Sequence, residues 1–159
     1  MSSDNPPRET IELPEEIPFP RSMDFFDLQS EEHTQIYPFY EHLRDGRLTT
    51  TQCQDCDALH FPPRIICPEC TSDTLEYVEL PHEGELYSFT SVRGTGPIGP
   101  NGDTPFVTGV IDLGDIRLSS RIDDAEYDDL SIGDPVELKI IDLEDRFEGD
   151  RVFYRFVPK

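Results

Sequence analysis

The chain has 159 residues, with 34 Asp and Glu against 13 Lys and Arg, for a net charge of −21. That length holds one domain, or a domain plus a small module, and excludes a barrel enzyme or a two-domain dinucleotide enzyme. Hydrophobic residues make up only 35% and Trp is absent, but ten Phe and six Tyr supply material for a core.

Residues 1–24 read as an extended, acidic, proline-rich arm. Pro6, Pro7, Pro14, Pro18 and Pro20 restrict the backbone, and Ile11, Leu13, Ile17 and Phe19 either dock the arm or stay in solvent with it. Residues 25–47 form a helical segment that begins in the apolar Met23–Leu28 stretch. Ile36, Phe39, Tyr40 and Leu43 recur at i, i+3, i+4 and i+7, one face of a helix. Pro38 suits a first helical turn, Arg44 a last one and Gly46 a stop, so the helix is expected from about Pro38 to Asp45. A preceding turn is expected after Ser30. Residues 48–80 are turn-rich and contain all four cysteines. From residue 81 to 159 the pattern turns to β, with strands expected at Glu85–Val92, Phe106–Leu113, Ile116–Ile122, Val136–Leu143 and Val152–Val157. Gly114-Asp115 offers a hairpin turn, Pro135 opens a strand without costing a ladder bond, and Tyr127–Leu130 reads as a short helical turn. Five strands with an insertion after the third match a Greek-key barrel of the OB type, with an SH3-like barrel as the alternative. The expected fold class is mainly β with an N-terminal helix: a cysteine-bearing, turn-rich ribbon followed by a five-stranded OB-fold barrel.

The strongest motif is Cys53-Gln-Asp-Cys56 with Cys67-Pro-Glu-Cys70, two C-x2-C pairs ten residues apart. Each pair sets two thiolates on one tight turn, and two facing turns close a tetrahedral S4 cage. A cage with four protein ligands leaves no open position for water, so the metal holds the fold. Zinc is the expected ion. Iron in the same cage would make a rubredoxin-like electron carrier, since sulfur ligands alone do not separate the two. Asp57 and Thr71 follow the second cysteine of each pair, where glycine often supplies a positive φ, and Thr resists that conformation.

Gly94-Thr-Gly96-Pro-Ile-Gly99 fits a dinucleotide fingerprint by letter only, because Pro97 and Pro100 forbid the helix it requires. The Arg93–Pro105 stretch is a long strand connection, either a binding loop or a plain one. Phe61-Pro62-Pro63-Arg64 runs extended between the cysteine pairs. Arg64 and Arg93 are the only bases in residues 51–100. Each is a candidate for an anionic ligand or for a local salt bridge. The four histidines, His33, His42, His60 and His82, show no paired spacing for a catalytic metal. No G-x-S-x-G element is present, so no catalytic residues are assigned and the chain reads as a non-enzyme.

The acid is dispersed: residues 1–50, 51–100 and 101–159 carry −7, −6 and −8. Such a surface repels itself in dilute solution, whereas at ~1 M salt the Debye length falls to about 3 Å. The composition points to a halophile's cytoplasmic protein, with an acidic mesophilic protein as the plainer alternative. No segment approaches the about 20 apolar residues of a membrane span, and no secretory signal is recognised. A cytosolic location disfavours disulfides.

The run Tyr37-Pro38-Phe39-Tyr40-Glu41-His42-Leu43-Arg44-Asp45-Gly46-Arg47-Leu48, the two C-x2-C pairs around Phe61-Pro62-Pro63-Arg64, and Gly84-Glu85-Leu86-Tyr87-Ser88-Phe89-Thr90 together resemble one family. It is the family called "domain of unknown function thirty-five". Ile132-Gly133-Asp134-Pro135-Val136 is similar to its pattern before the fourth strand, and the resemblance spans roughly residues 25–158. It implies a helical N-terminus, a rubredoxin-like zinc ribbon and an OB-fold in a non-catalytic partner of thiolase-type enzymes. Archaeal members join an acetoacetyl-CoA thiolase to a hydroxymethylglutaryl-CoA synthase, share a coenzyme A site and feed isoprenoid lipid synthesis. By the same resemblance Cys53, Cys56, Cys67 and Cys70 would hold zinc. Phe61, Pro63, Arg64 and Arg93 would lie near the partner or the acyl-CoA. Phe25, Phe26, Phe39 and Tyr40 are further interface candidates.

Two other classes stay open from sequence. A nucleic-acid-binding ribbon and OB module would need a basic track, for which Arg117, Arg121, Arg151 and Arg155 are the candidates on alternate strand positions. The dispersed acid opposes it. A redox carrier with iron would be coloured.

Overall fold

The computed structural model describes residues 29–94, 105–142 and 151–159. The expected arm over residues 1–24, Phe25 and Phe26, residues 95–104 of the glycine-rich connection and Leu143 lie outside the described residues.

Helix α1 spans Tyr37–Arg44, with Pro38 in its first turn. It starts one residue earlier than expected, and proline is tolerated at the second position because the first helical N–H groups need no partner within the helix. Phe39 and Leu43 are buried on its inner face. The helix ends where Gly46 takes φ +81° and its N–H reaches the Leu43 carbonyl at 2.9 Å. The expected turn after Ser30 is present: the N–H groups of His33 and Thr34 both donate to the Ser30 carbonyl at 3.0 Å.

A three-stranded antiparallel sheet follows, made of β1 (Thr49–Cys53), β2 (Leu59–His60) and β3 (Leu75–Glu79) in the order β2-β1-β3. The rest is a closed barrel of β4 (Glu83–Val92), β5 (Phe106–Asp112), β6 (Arg117–Ile122), β7 (Pro135–Asp142) and β8 (Val152–Pro158). Its order is β4-β5-β6-β8-β7. The fourth barrel strand pairs with the first, and the third meets the fifth in parallel at Ile122 and Phe156. That is the Greek-key closure of the OB barrel, and it sets the SH3-like alternative aside. The β5–β6 turn falls at Gly114 and Asp115, where Asp112 Oδ1 accepts the Gly114 N–H at 2.9 Å. A 3-10 turn occupies Tyr127–Asp129.

One apolar core runs through all three parts. Leu86, Ile111, Val136 and Phe156 fill the barrel with no exposure, and Phe39, Leu43 and Leu48 continue the same cluster into the helix and ribbon. Three rings join these parts edge to face. Phe39 lies 6.1 Å from Phe61 and 6.3 Å from Tyr154, and Phe61 lies 5.5 Å from Tyr154. Burial pushes the Tyr154 phenol up to about 12, so it stays neutral and donates to the Ser119 carbonyl at 3.3 Å. Buried Gln29 clasps the start of β8. Its Nε2 donates to the Val152 carbonyl at 2.9 Å, and its Oε1 accepts the Val152 N–H at 3.1 Å.

Candidate metal centre

Strand β1 ends on Cys53, and the chain then folds into a tight turn. The Cys53 N–H donates to the Ala58 carbonyl at 2.9 Å, and the Asp57 N–H donates back to the Cys53 carbonyl at 3.0 Å. The second turn repeats the pattern: the Cys67 N–H reaches the Ser72 carbonyl at 2.8 Å, and the Thr71 N–H reaches the Cys67 carbonyl at 2.9 Å. Both turns need a left-handed residue after the second cysteine. Asp57 takes φ 58° and Thr71 takes φ 62°. The turn geometry is therefore kept in both, without glycine. Thr71 also donates its hydroxyl to the Cys70 carbonyl at 2.6 Å.

The two turns face each other. Cys53 Sγ lies 3.5 Å from Cys70 Sγ, and Cys56 Sγ lies 3.6 Å from Cys67 Sγ. All four sulfurs lie within 4.8 Å of one another. A tetrahedron with metal–sulfur bonds of ~2.3 Å has edges of about 3.8 Å, so the spacing fits one tetrahedral ion. A disulfide needs about 2 Å, and all four cysteines are free. Cys53 and Cys67 are buried while Cys56 and Cys70 are exposed, so the cage has an inner and an outer edge.

The electrostatics fit a cation. Burial opposes ionisation of Cys53, but the backbone N–H groups of Asp55 and Cys56 and the neighbouring sulfurs bring its thiol down to about 7. The Ala58 N–H favours the Cys56 thiolate, yet the sulfurs of Cys70, Cys67 and Cys53, together with burial, push that thiol up to about 12. The Cys70 thiol is also raised, although the Ser72 N–H favours its thiolate. The first thiolate forms readily and then opposes the next. A divalent ion removes that conflict, and the residues present fit zinc.

A fifth group was not singled out in the sequence. His60 Nε2 lies 3.4 Å from Cys67 Sγ. It lies between the two pairs, four residues after Cys56, but outside the C-x2-C motif, and the register Thr51 opposite His60 turns it to the cage.

The other expected contact residues separate. Half-buried Phe61 packs on Phe39 and Tyr154. Pro63 is buried, and the Phe61–Pro62 peptide is cis. Arg64 is exposed, anchored only through its N–H to Thr51 Oγ1 at 2.8 Å. Ile65 and Ile66 follow it with 47% and 54% of their surface open. Arg93 is also exposed and lines a hollow of about 400 Å³ with Phe106 and Tyr127 and with the acids Glu126 and Asp128. Neither Arg64 nor Arg93 forms an ion pair with a described residue.

The basic track fares differently. Arg117 pairs with Asp112 at 2.7 Å and covers the Tyr87 ring at 3.7 Å. Arg121 pairs with Asp123 at 3.2 Å, and Arg155 Nη1 donates to both Asp123 oxygens at 2.9 and 2.8 Å. Arg151 is buried. Arg117, Arg121 and Arg155 are engaged with the protein's own acids and Arg151 is withdrawn from solvent, so they do not form an open phosphate track. No helix among the described residues is long and apolar enough to cross a membrane.

Residues 41–76 match the family model described as the ChsH2 rubredoxin-like zinc ribbon domain, and residues 77–140 match the ChsH2 C-terminal OB-fold domain. A DUF35 domain-containing scaffold protein from Methanothermobacter thermautotrophicus is 33% identical over 116 residues, covering 70% of this chain and 86% of that protein. The benzoylsuccinyl-CoA thiolase subunit BbsA from Thauera aromatica is 33% identical over 117 residues, covering 70% of this chain and 78% of that subunit. Among solved structures, a chain of the Ltp2-ChsH2(DUF35) aldolase superposes with a TM-score of 0.63 at 26% identity, covering 76% of this chain and 91% of that one.

Proposed function

This chain belongs to the DUF35 family, and from that premise we propose that it is an accessory subunit of a thiolase-type enzyme handling acyl-CoA thioesters. The observation that carries this reading is the similarity over most of its length to a scaffold protein and to a thiolase subunit. The metal centre supports it from the chemical side. Four sulfurs around one ion leave no position for substrate, so zinc there would cross-link the two turns. The chain's own residues then present a surface rather than a reaction centre.

That surface has a chemical character. In a chain of net charge −21, Arg64 and Arg93 stand exposed and form no ion pair with a described residue, although Glu126 and Asp128 line the same hollow as Arg93. Arg64 continues directly into exposed Ile65 and Ile66. An arginine beside bare isoleucines suits a protein partner, and a free guanidinium suits a phosphate of coenzyme A. Phe61 and Pro63 serve that surface from beneath, by holding the Arg64 segment against the core. The finer reading follows the archaeal pattern: the subunit bridges an acetoacetyl-CoA thiolase and a hydroxymethylglutaryl-CoA synthase in the route to isoprenoids.

The experiment is capture of the tagged chain from a cell extract in molar KCl. A stoichiometric thiolase is expected, and a synthase beside it would name the pathway. Ile66→Glu is expected to reduce thiolase recovery at least tenfold while leaving the metal in place. Elution alone, or with nucleic acid, would sink the partner reading.

A further inference from the structure

The metal centre carries a group that neither its motif nor its family description includes. His60 is the last residue of β2 and pairs with Thr51 of β1. Cross-strand partners share a face of the sheet, as do alternate residues of one strand. Thr51, Cys53 and His60 therefore lie on one face, turned to the cage. The His60 backbone is held in place, since the Thr50 hydroxyl donates to its carbonyl. The imidazole is half-buried, and its Nε2 stops 3.4 Å from Cys67 Sγ, at the distance of an N–H···S hydrogen bond.

We propose that His60 is a positioning residue of the metal centre, donating its Nε2–H to the Cys67 thiolate. The inference rests on the reading that the four cysteines hold a divalent ion. Four thiolates around such an ion leave the cage with excess negative charge, in a chain already of net charge −21. Hydrogen-bond donors to sulfur disperse that charge. The backbone N–H groups of Asp55 and Cys56 favour the Cys53 thiolate, that of Ala58 the Cys56 thiolate and that of Ser72 the Cys70 thiolate. Cys67 receives the imidazole. The bond also fixes which ring nitrogen carries the proton, and it seats a ring against a buried sulfur. Ligand orientation by such outer partners commonly changes metal affinity by ~10–100-fold.

The test uses the intact chain loaded with NMR-active cadmium in place of zinc, with the histidine rings isotope-labelled. The cadmium shift reports whether four sulfurs bind it. Scalar coupling between cadmium and the His60 Nε2 proton, transmitted through the hydrogen bond and Cys67, is expected. Cadmium held by four sulfurs with no such coupling would overturn the proposal alone. Failure to bind cadmium would overturn the metal reading with it. In parallel, His60→Leu is expected to release zinc to a chelator ~10–100-fold faster than wild type. His60→Gln, which keeps an N–H donor, is expected to recover most of that loss. Equal release rates for all three proteins would overturn the proposal.

Discussion

Thr71 is a β-branched residue held at φ 62°, where an L-residue pays about 1–2 kcal/mol. Glycine there relieves the strain but loosens the unfolded chain, and it loses the hydroxyl bond to the Cys70 carbonyl. Thr71→Gly is expected to stabilise the protein by at most about 1 kcal/mol, a rise in Tm of no more than ~2–4 °C. Asp57→Gly should gain less, because Asp tolerates this conformation better. Thermal melts of the zinc-loaded proteins check both. The sequence flagged these two positions as awkward for a metal turn. The structure shows that the backbone adopts the turn anyway, held by paired hydrogen bonds from Asp57 and Thr71 to Cys53 and Cys67. Removing one sulfur is a different matter. Cys56→Ser is expected to abolish stoichiometric metal binding, read by metal analysis, because three thiolates no longer close the cage. Local spacing made the four cysteines legible. It left His60 invisible, because its place depends on strand register.

Among the elements, α1 and the five barrel strands were legible from periodicity alone. Their observed ends differ from expectation by a residue or two, as for β4, which begins at Glu83 rather than Glu85. Ends are set by pairing partners, and Glu83 pairs with Glu137 across the barrel seam. The contacts between elements were not legible. Phe39 reads as a helical stripe residue, but it joins helix, ribbon and barrel through Phe61 and Tyr154. Phe39→Ala is expected to cost about 3–5 kcal/mol in chemical denaturation. Gln29 reads as an ordinary polar residue, but it supplies both hydrogen bonds to Val152 at the start of β8. Gln29→Ala would leave a buried N–H and C=O without that partner. It is expected to cost about 1–3 kcal/mol, with faster exchange of the Val152 amide as the local readout.

Across the whole molecule, charge outweighs any single contact. Lysines and arginines of the barrel are absorbed by nearby acids, as Arg155 is by Asp123 and Lys139 by Asp124. Most of the −21 has no such partner and repels itself. Screening at ~1 M salt acts on distances beyond about 3 Å, so it relieves this repulsion more than it weakens the close pairs. Tm is expected to rise by several degrees between dilute buffer and molar KCl. Equal melting in both would remove the case for a high-salt protein.

Composition, period and spacing by themselves determined the acidic surface, the helix, the sequence of five strands and the two paired cysteine turns. Each of these is a local property, readable from residues close together in the chain. Tertiary structure decided which strands close the barrel, which arginines are consumed by acids and which stay free, and which histidine reaches the cage. Those depend on pairing register and on contacts between residues far apart in sequence, as Gln29 and Val152 are. Such contacts form only when the whole core excludes water together.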